Sequence, residues 1–397
     1  MADAPAQLPV EIEISARTDV GCVREQNEDA WLVADLSAGR RGLLAEVERH
    51  VVGARGTLLA VCDGMGGAAA GEVASALATD IMFEEMAHAP ETAGDRAIMG
   101  RILRRAVRAA NLRVHEESKK QRGRRGMGTT LSAGFVWGGV LVLAQVGDSR
   151  AYLWRSGTLT QLTRDQSVVS ALVQAGRLTA EEAKGFIGAN VILQALGVDE
   201  DVEVSLSIAE LRQGDVLLVC SDGLTGPVND EGVRDALAAH ENVGEATRAL
   251  IEAARAGGGP DNVTVVLARF LGEGLPAPGG EGDLPRFVEF DPMEEGERAI
   301  TTTSRVARRL AARAGMGDDT PVKAFPPTGQ HTALTEADAK VLRRPPRGGK
   351  PGKTRGAGSA QKPAEAALAR HSRLSTGILV LAAVAAVTLG ALVFLRC

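Results

Sequence analysis

Two apolar runs that each end in an Asp-Gly pair constrain this chain more than any other feature. Residues 57–62 have the length and branching of a buried strand, and Asp63 follows them with glycines at three of the next four positions. Glycine permits positive φ and lets the backbone approach a bound group closely. Taken alone, the Asp-Gly pair also fits an ordinary turn.

Acidic residues recur at other strand ends. A second apolar run ends at Asp222, Asp261 directly precedes a third, and Glu28 and Asp29 follow a strand near the start of the chain. A packed core would not gather these charges without a counter-ion. Carboxylate oxygens suit Mg²⁺ and Mn²⁺, whereas zinc prefers thiolate or imidazole. The pattern therefore predicts a hard-cation site where several strands end.

Charge is distributed unevenly along the 397 residues. Residues 272–300 carry eight acids against two Arg, and residues 301–373 carry fifteen Lys and Arg against five acids. With its Pro and Gly content, this block predicts a solvated, disordered linker. Aromatic residues do not alternate with the basic ones, so no nucleic-acid binding is expected.

Residues 1–13 have no apolar core like that of a signal peptide, which predicts a cytosolic location for the part of the chain before the linker.

The body of the chain alternates between strand-like and helix-like patterns. Residues 72–88 and 95–119 predict two amphipathic helices, and residues 129–162 predict a meander of strands joined by tight turns. Residues 165–185 predict a short helical interlude on the surface, which we call the flap. A polar insert at residues 35–55 gives no clear prediction. Two strand groups with helices between them favour an α+β sandwich, with helices outside paired antiparallel sheets.

At this point the chain resembles a known family. Six motifs, in order, are similar to those of the metal-dependent protein phosphatase 2C family in its bacterial form, across about residues 12–270. The motifs are Arg24-x-x-Asn27-Glu28-Asp29-Ala30, Asp63-Gly64-Met65-Gly66-Gly67, Gly128-Thr129-Thr130, Gly147-Asp148-Ser149-Arg150, Ser221-Asp222-Gly223-Leu224 and Gly259-Pro260-Asp261-Asn262-Val263-Thr264. The resemblance implies a four-layer α-β-β-α sandwich of two antiparallel sheets flanked by helices. It also implies two bound Mn²⁺ or Mg²⁺ ions, with a third, weaker one in bacterial members.

The resemblance assigns roles to individual residues. Asp63 would bridge two metals, and Arg24 would bind the phosphate of the substrate with its planar guanidinium. Asp148 would hold the third metal together with Asp222, although a Gly-Asp-Ser turn between strands favours Asp in any case. The remaining ligands, direct or through water, would be Glu28, Asp29, the Gly64 carbonyl, Asp222 and Asp261.

The chemistry of the side chains leads to the same mechanism. No Cys has an Arg six residues downstream, and none of the six His lies in a motif. Neither a Cys nucleophile nor a Ser-His-Asp triad is therefore indicated, and water activated by metal remains. The predicted activity is hydrolysis of phosphoserine and phosphothreonine in proteins, opposing a Ser/Thr kinase. The alternative is a catalytically idle phospho-reader or scaffold with the same fold.

The last apolar segment predicts a membrane anchor. Residues 376–395 are twenty uncharged residues, which as a helix would span ~30 Å, the thickness of the bilayer hydrocarbon. Basic residues precede it, and the positive-inside rule keeps them cytoplasmic. We therefore predict three parts: a catalytic domain at residues 8–271, a linker at 272–373 and a single-pass anchor at 374–397. The protein would be tail-anchored in the cell membrane with its catalytic domain in the cytoplasm.

Overall fold

Two antiparallel sheets form the centre of the computed structural model, which describes residues 8–66, 70–92, 95–183, 186, 191–279, 283–285 and 288–292. The strands in these residues are β1 (Glu11–Asp19), β2 (Asp29–Asp35), β3 (Arg40–Arg41), β4 (Glu48–Val51), β5 (Thr57–Met65), β6 (Gly128–Thr129), β7 (Leu131–Trp137), β8 (Val140–Val146), β9 (Arg150–Arg155), β10 (Thr158–Gln161), β11 (Ser205–Glu210), β12 (Val216–Cys220), β13 (Val263–Leu271) and β14 (Val288–Glu289). The helices are α1 (Ala70–Ala87), α2 (Arg96–Lys120), α3 (Val168–Gln174), α4 (Ala180–Ala183), α5 (Asp222–Thr225), α6 (Asp230–Ala239) and α7 (Val243–Ala256). One sheet has the strand order β10-β9-β12-β13-β1-β4, and the other has the order β14-β11-β8-β7-β5-β2-β3, with β6 paired to β5.

Side chains on β5 show how the layers pack. Leu58 and Ala60 face the core shared with α1 and α2, whereas Leu59 and Val61 face the core between the two sheets. The other sheet packs its outer face on α6 and α7. Because β5 is covered on both faces, its sequence reads as a continuous apolar run without alternation. This helix-sheet-sheet-helix order confirms the predicted α+β sandwich.

The two predicted long helices are present, with ends shifted by one or two residues. Helix α2 begins after Asp95, whose carboxylate accepts a hydrogen bond from the Ile98 backbone N–H at 2.9 Å. Ile102, Ala106 and Ala110 recur every four residues and are buried against α1 and the sheet. The spacing places them on one face of the helix, which is why the sequence predicted it.

The flap contains the predicted helical turn. The Thr179 hydroxyl accepts a hydrogen bond from the Glu182 N–H at 3.2 Å, and the Glu182 carboxylate accepts one from the Thr179 N–H at 2.8 Å. This reciprocal pair is a capping box, and it starts α4. Residues 184, 185 and 187–190 of the flap lie outside the described residues.

The sequence analysis did not identify β11, α6 or α7. Both helices follow Asn residues that cap them: Asn229 accepts from the Gly232 N–H, and Asn242 accepts from the Gly244 N–H. Asn before an amphipathic run is a recognised helix start, so this signal was present in the sequence.

The polar insert extends both sheets at the same edge. Strand β3 pairs with β2 in one sheet, and β4 pairs with β1 in the other. The two short strands are linked by Arg40, which forms ion pairs with Asp35 at the end of β2 and with Glu48 on β4. The insert is therefore part of the sandwich and covers one of its open edges.

The chain that follows β13 remains in contact with the sandwich as far as Pro292. Strand β14 pairs with β11, and the Phe290 N–H donates to the Leu206 carbonyl at 2.9 Å. The predicted linker, 272–373, therefore starts later than its composition suggested, because charge and glycine content do not reveal this edge pairing. No helix in the described part of the chain has the length and apolar content to cross a bilayer. The predicted anchor and most of the linker lie outside that part.

Candidate metal centre

Asp63 and Asp29 face each other across two neighbouring strands. Asp63 lies near the end of β5 and Asp29 at the start of β2, and the two are direct partners in the antiparallel register. Directly opposed residues have Cβ atoms ~4.5–5.5 Å apart. The sheet order thus brings together two acids that are 34 positions apart in the chain.

The other sheet adds Asp222 and Asp261 at the same end of the sandwich. Asp222 follows β12 and Asp261 precedes its neighbour β13, where the Ser221 N–H donates to the Thr264 carbonyl at 3.1 Å. Gly223 makes this junction possible, since a Cβ there would lie 1.9 Å from the Asn262 carbonyl oxygen. Asp222 and Asp63 lie close enough for each carboxyl group to shift the pKa of the other. Acids from both sheets therefore meet between the layers.

Crowding of these acids disfavours their charged forms. Burial, followed by the neighbouring carboxylates of Asp29 and Asp222, raises the pKa of Asp63 well above its ordinary value. Burial also raises the pKa of Asp222, and it raises that of Asp29 to about 7 although Thr264 and Ser221 donate hydrogen bonds to the Asp29 carboxylate. Two carboxyl groups in contact must share a proton, because both cannot ionise without a counter-charge.

Unpaired oxygens point to what this site can hold. Among the described residues, Asp29 Oδ1 and Asp222 Oδ1 are buried and have no hydrogen-bond partner. Buried acceptors without donors are costly. A divalent cation would satisfy both oxygens and remove the repulsion, and all-oxygen donors fit Mn²⁺ or Mg²⁺. The donor set therefore fits the predicted metals.

Glu28 and Gly64 lie beside Asp63. The Gly64 N–H donates to the Glu28 carbonyl at 3.1 Å, and a Cβ on Gly64 would lie 2.3 Å from the Gly71 carbonyl oxygen. Only glycine fits that position. Burial raises the pKa of Glu28, while the nearby Arg24 opposes this shift. The structure thus places Glu28, Asp29, Asp63, Gly64, Asp222 and Asp261 at one end of the sandwich.

Arg24 is attached to this group through one ligand candidate. Its Nη2 donates to Asp261 Oδ2 at 2.7 Å, and half of the Arg24 side chain is exposed. No three His, Cys, Asp or Glu side chains of the described residues are drawn together closely enough to chelate a cation as they stand. The individual ligand roles therefore stay predictions.

Asp148 lies near Asp222 at the turn between β8 and β9. Burial, then the charges of Asp222 and Asp165, raise its pKa to about 7. The preceding Gly147 has a φ of +96°, and its N–H donates to Gln166 Oε1 at 2.8 Å. The position is compatible with both readings of Asp148, a ligand of a third metal and a turn residue.

Several supporting residues emerge only from the structure. Ser221 Oγ donates to Asp29 Oδ2 at 2.8 Å, and the Asn262 side chain accepts from the Glu28 N–H at 2.8 Å while donating to the carbonyls of Val20 and Gln26. Thr130 Oγ1 accepts from the Asp63 N–H at 3.0 Å. All three residues directly adjoin or lie within the motifs, which was the available signal. These hydrogen bonds hold the acidic residues in position, as the outer hydrogen-bond partners of metal ligands do.

Comparison with known proteins identifies the family. Residues 46–271 match the family model described as Protein phosphatase 2C. The chain is 41% identical over 263 residues to the serine/threonine protein phosphatase PstP of Mycobacterium tuberculosis. The matched region covers 66% of this chain and 46% of PstP. It is 34% identical over 251 residues to the serine/threonine phosphatase stp of Listeria welshimeri. That match covers 63% of this chain and 93% of the Listeria protein. The chain thus spans about half the length of PstP, the first of the curated relatives it matches.

A solved structure supports the same assignment. The catalytic domain of PstP in complex with two manganese ions superimposes with a TM-score of 0.55 at 40% identity, covering 66% of this chain and 99% of that domain. The chain belongs to the protein phosphatase 2C family.

Proposed function

We propose that this protein is a metal-dependent serine/threonine phosphatase. The observation that carries the proposal is the direct pairing of Asp63 with Asp29 across β5 and β2, together with the buried oxygens of Asp29 and Asp222 that have no hydrogen-bond partner among the described residues. Relatives that share the fold are named serine/threonine phosphatases, and one was solved with two manganese ions. This combination supports phosphate-ester hydrolysis more strongly than any other chemistry.

Each side chain of the candidate metal centre would have its own role in the reaction. Bound Mn²⁺ or Mg²⁺ would supply Lewis-acid activation of water and neutralise phosphoryl charge. Asp63 would bridge the two ions, with Glu28, Asp29, Asp222, Asp261 and the Gly64 carbonyl as further ligands and Asp148 on the side of a third ion. Arg24 would hold phosphoryl oxygens with its guanidinium. Its ion pair with Asp261 is solvent-exposed and contributes about 1 kcal/mol or less, so a phosphate can compete for it.

The test of this proposal is turnover of phosphopeptides. We expect release of inorganic phosphate from phosphoserine and phosphothreonine peptides with Mn²⁺, loss of the activity in excess EDTA, and its return when Mn²⁺ is added back. Full activity in EDTA would contradict the metal mechanism. Phosphopeptide binding without turnover, with metal bound, would favour the idle phospho-reader.

We also propose that the enzyme is tethered to the cell membrane by residues 374–397. The proposal rests on the uncharged segment 376–395 and on the basic residues before it, which favour a cytoplasmic catalytic domain. A flexible linker of on the order of a hundred residues would have ends ~50–60 Å apart by random-coil scaling. That reach would concentrate the enzyme near membrane-bound phosphoproteins, including Ser/Thr kinases and their substrates.

Fractionation tests the tether. We expect the full chain in the membrane fraction and a chain ending at Arg373 in the soluble fraction, with equal activity on small phosphopeptides. Full-length protein in the soluble fraction would contradict the anchor. Labelling of the catalytic domain by a membrane-impermeant reagent in intact cells would contradict its orientation.

A further inference from the structure

A cluster of positive charge stands out on an otherwise acidic domain. Residues 1–271 carry 37 Asp and Glu against 27 Lys and Arg, yet residues 119–125 hold five cations in seven positions. We call residues 119–125, which include Lys119, Arg122 and Arg125, the basic loop. It consists of the last two residues of α2 and the residues after it, which include the short 3-10 turn Arg122–Arg124.

The basic loop lies beside the candidate metal centre. It leads directly into β6, whose Gly128 and Thr129 pair with Met65 and Gly64 of β5. Neighbouring strands are ~4.8 Å apart, and three extended residues span at most ~10 Å. The backbone of Arg125 is therefore within roughly 15 Å of Met65, two positions after Asp63. Met127, which is fully buried, anchors the end of the loop against the core.

Ion pairs within the domain neutralise only part of the positive charge of the basic loop. Lys120 and Arg124 both pair with Glu117. Lys119, Arg122 and Arg125 are exposed, and none has an ion pair within the described part of the chain. The helix dipole accounts for Lys119 in the last turn of α2, but Arg122 and Arg125 follow the helix end at Gln121.

Two acidic residues that follow the flap, Asp199 and Glu200, are held against α2 through their backbone. Asn111 Nδ2 donates to the carbonyls of Asp199 and Glu200. Asn111 is eight residues before Lys119 on α2, which is ~12 Å along the helix. Their carbonyl groups are thus fixed at the middle of α2, while Val198, the residue before Asp199, approaches Gly128 beyond the basic loop.

We propose that the basic loop binds a second anionic group of the protein substrate, an acidic or phosphorylated side chain near the phosphoresidue being hydrolysed. This inference rests on the proposed phosphatase function and specifies its substrate class. An extended peptide advances 3.3–3.6 Å per residue, so side chains about three to five residues from the phosphoresidue lie ~10–18 Å away, which is comparable with the upper limit of roughly 15 Å between Arg125 and Met65. Surface charges of this kind raise local substrate concentration and association rate, and salt screens their effect.

The test compares two phosphothreonine peptides with the full chain in detergent. One carries Glu three to five residues on each side of the phosphothreonine, and the other carries Gln at those positions. We expect kcat/KM about tenfold higher for the Glu peptide at low salt, through KM, with the advantage lost at high salt. In the triple variant Lys119→Gln, Arg122→Gln, Arg125→Gln the advantage should disappear, while kcat and hydrolysis of p-nitrophenyl phosphate stay unchanged.

A matched variant separates the basic loop from net charge. Arg105→Gln, Arg108→Gln, Arg248→Gln removes the same charge from exposed positions on α2 and α7, and it should keep the preference. An unchanged Glu/Gln ratio in the loop variant, with p-nitrophenyl phosphate still hydrolysed, would overturn this inference and leave the phosphatase function intact. Weaker inhibition of that variant by mixed micelles of phosphatidylserine would then assign the loop to a lipid surface. No hydrolysis of any of these substrates by the unaltered chain would overturn the proposed function and this inference with it.

Discussion

The substitution Asp63→Asn is expected to lower phosphopeptide turnover by more than about a hundredfold and to abolish tight Mn²⁺ binding. Changes to outer partners of metal ligands typically cost 10–100-fold, so loss of a bridging carboxylate should cost more. Asn retains the shape of Asp. The hydrogen bonds between Thr130 and residue 63 use only the backbone N–H and carbonyl of residue 63, which the substitution leaves in place. The fold should therefore survive while the charge that we propose to hold the ions is lost. Calorimetry with Mn²⁺ and phosphate release measure the two effects.

Stability of the metal-free protein provides an independent check. Asp63 is crowded by Asp29 and Asp222, which raises its pKa, so removal of its charge should leave the melting temperature equal or higher without metal. Added Mn²⁺ should then stabilise the unaltered chain but not the variant. Asp95→Asn is the matched control, because Asn caps a helix as well as Asp does and α2 should be unaffected. Wild-type turnover in Asp63→Asn would remove Asp63 from the centre, and a large fall in melting temperature would make its role structural.

Much of the sandwich could be predicted because its central strands are covered on both faces. β5 and β12 contain unbroken apolar runs, and an acid comes at or just after the end of each run. Alternating burial in β5 then distributes Leu58 and Leu59 to different cores. The strand ends and their acids were therefore visible in local sequence.

Spatial neighbours were not visible in the same way. The pairing of Asp29 with Asp63 depends on β2 lying next to β5, and the approach of Asp222 depends on how one sheet stacks on the other. Nothing near Arg24 in sequence indicates its ion pair with Asp261. For β14 the composition was misleading, since its strand has only two residues and forms by pairing with β11. Long-range contacts decided each of these features.

Arg155→Met is expected to destabilise the domain by about 3–5 kcal/mol, the usual cost of removing one partner of a buried ion pair. Arg155 is 4% exposed, and its Nε and Nη2 both donate at 2.8 Å to the fully buried Asp215. The same guanidinium donates to the Glu210 carbonyl at 2.8 Å and contacts Asp283 beyond β13. Without it, the backbone N–H of Arg212 would be the only hydrogen-bond donor left to the Asp215 carboxylate among the described residues. Urea unfolding of the variant gives the change in free energy.

A double-mutant cycle shows whether the unpaired charge is the cause. Asp215→Leu alone should also be costly, because it leaves the Arg155 guanidinium buried with fewer acceptors, whereas Arg155→Met with Asp215→Leu should cost much less than the two single changes added together. The exposed pair of Arg234 and Glu231 is the control, and Arg234→Met should change stability by less than about 1 kcal/mol. Additive costs in the buried pair would mean that lost packing, rather than an uncompensated charge, sets the penalty.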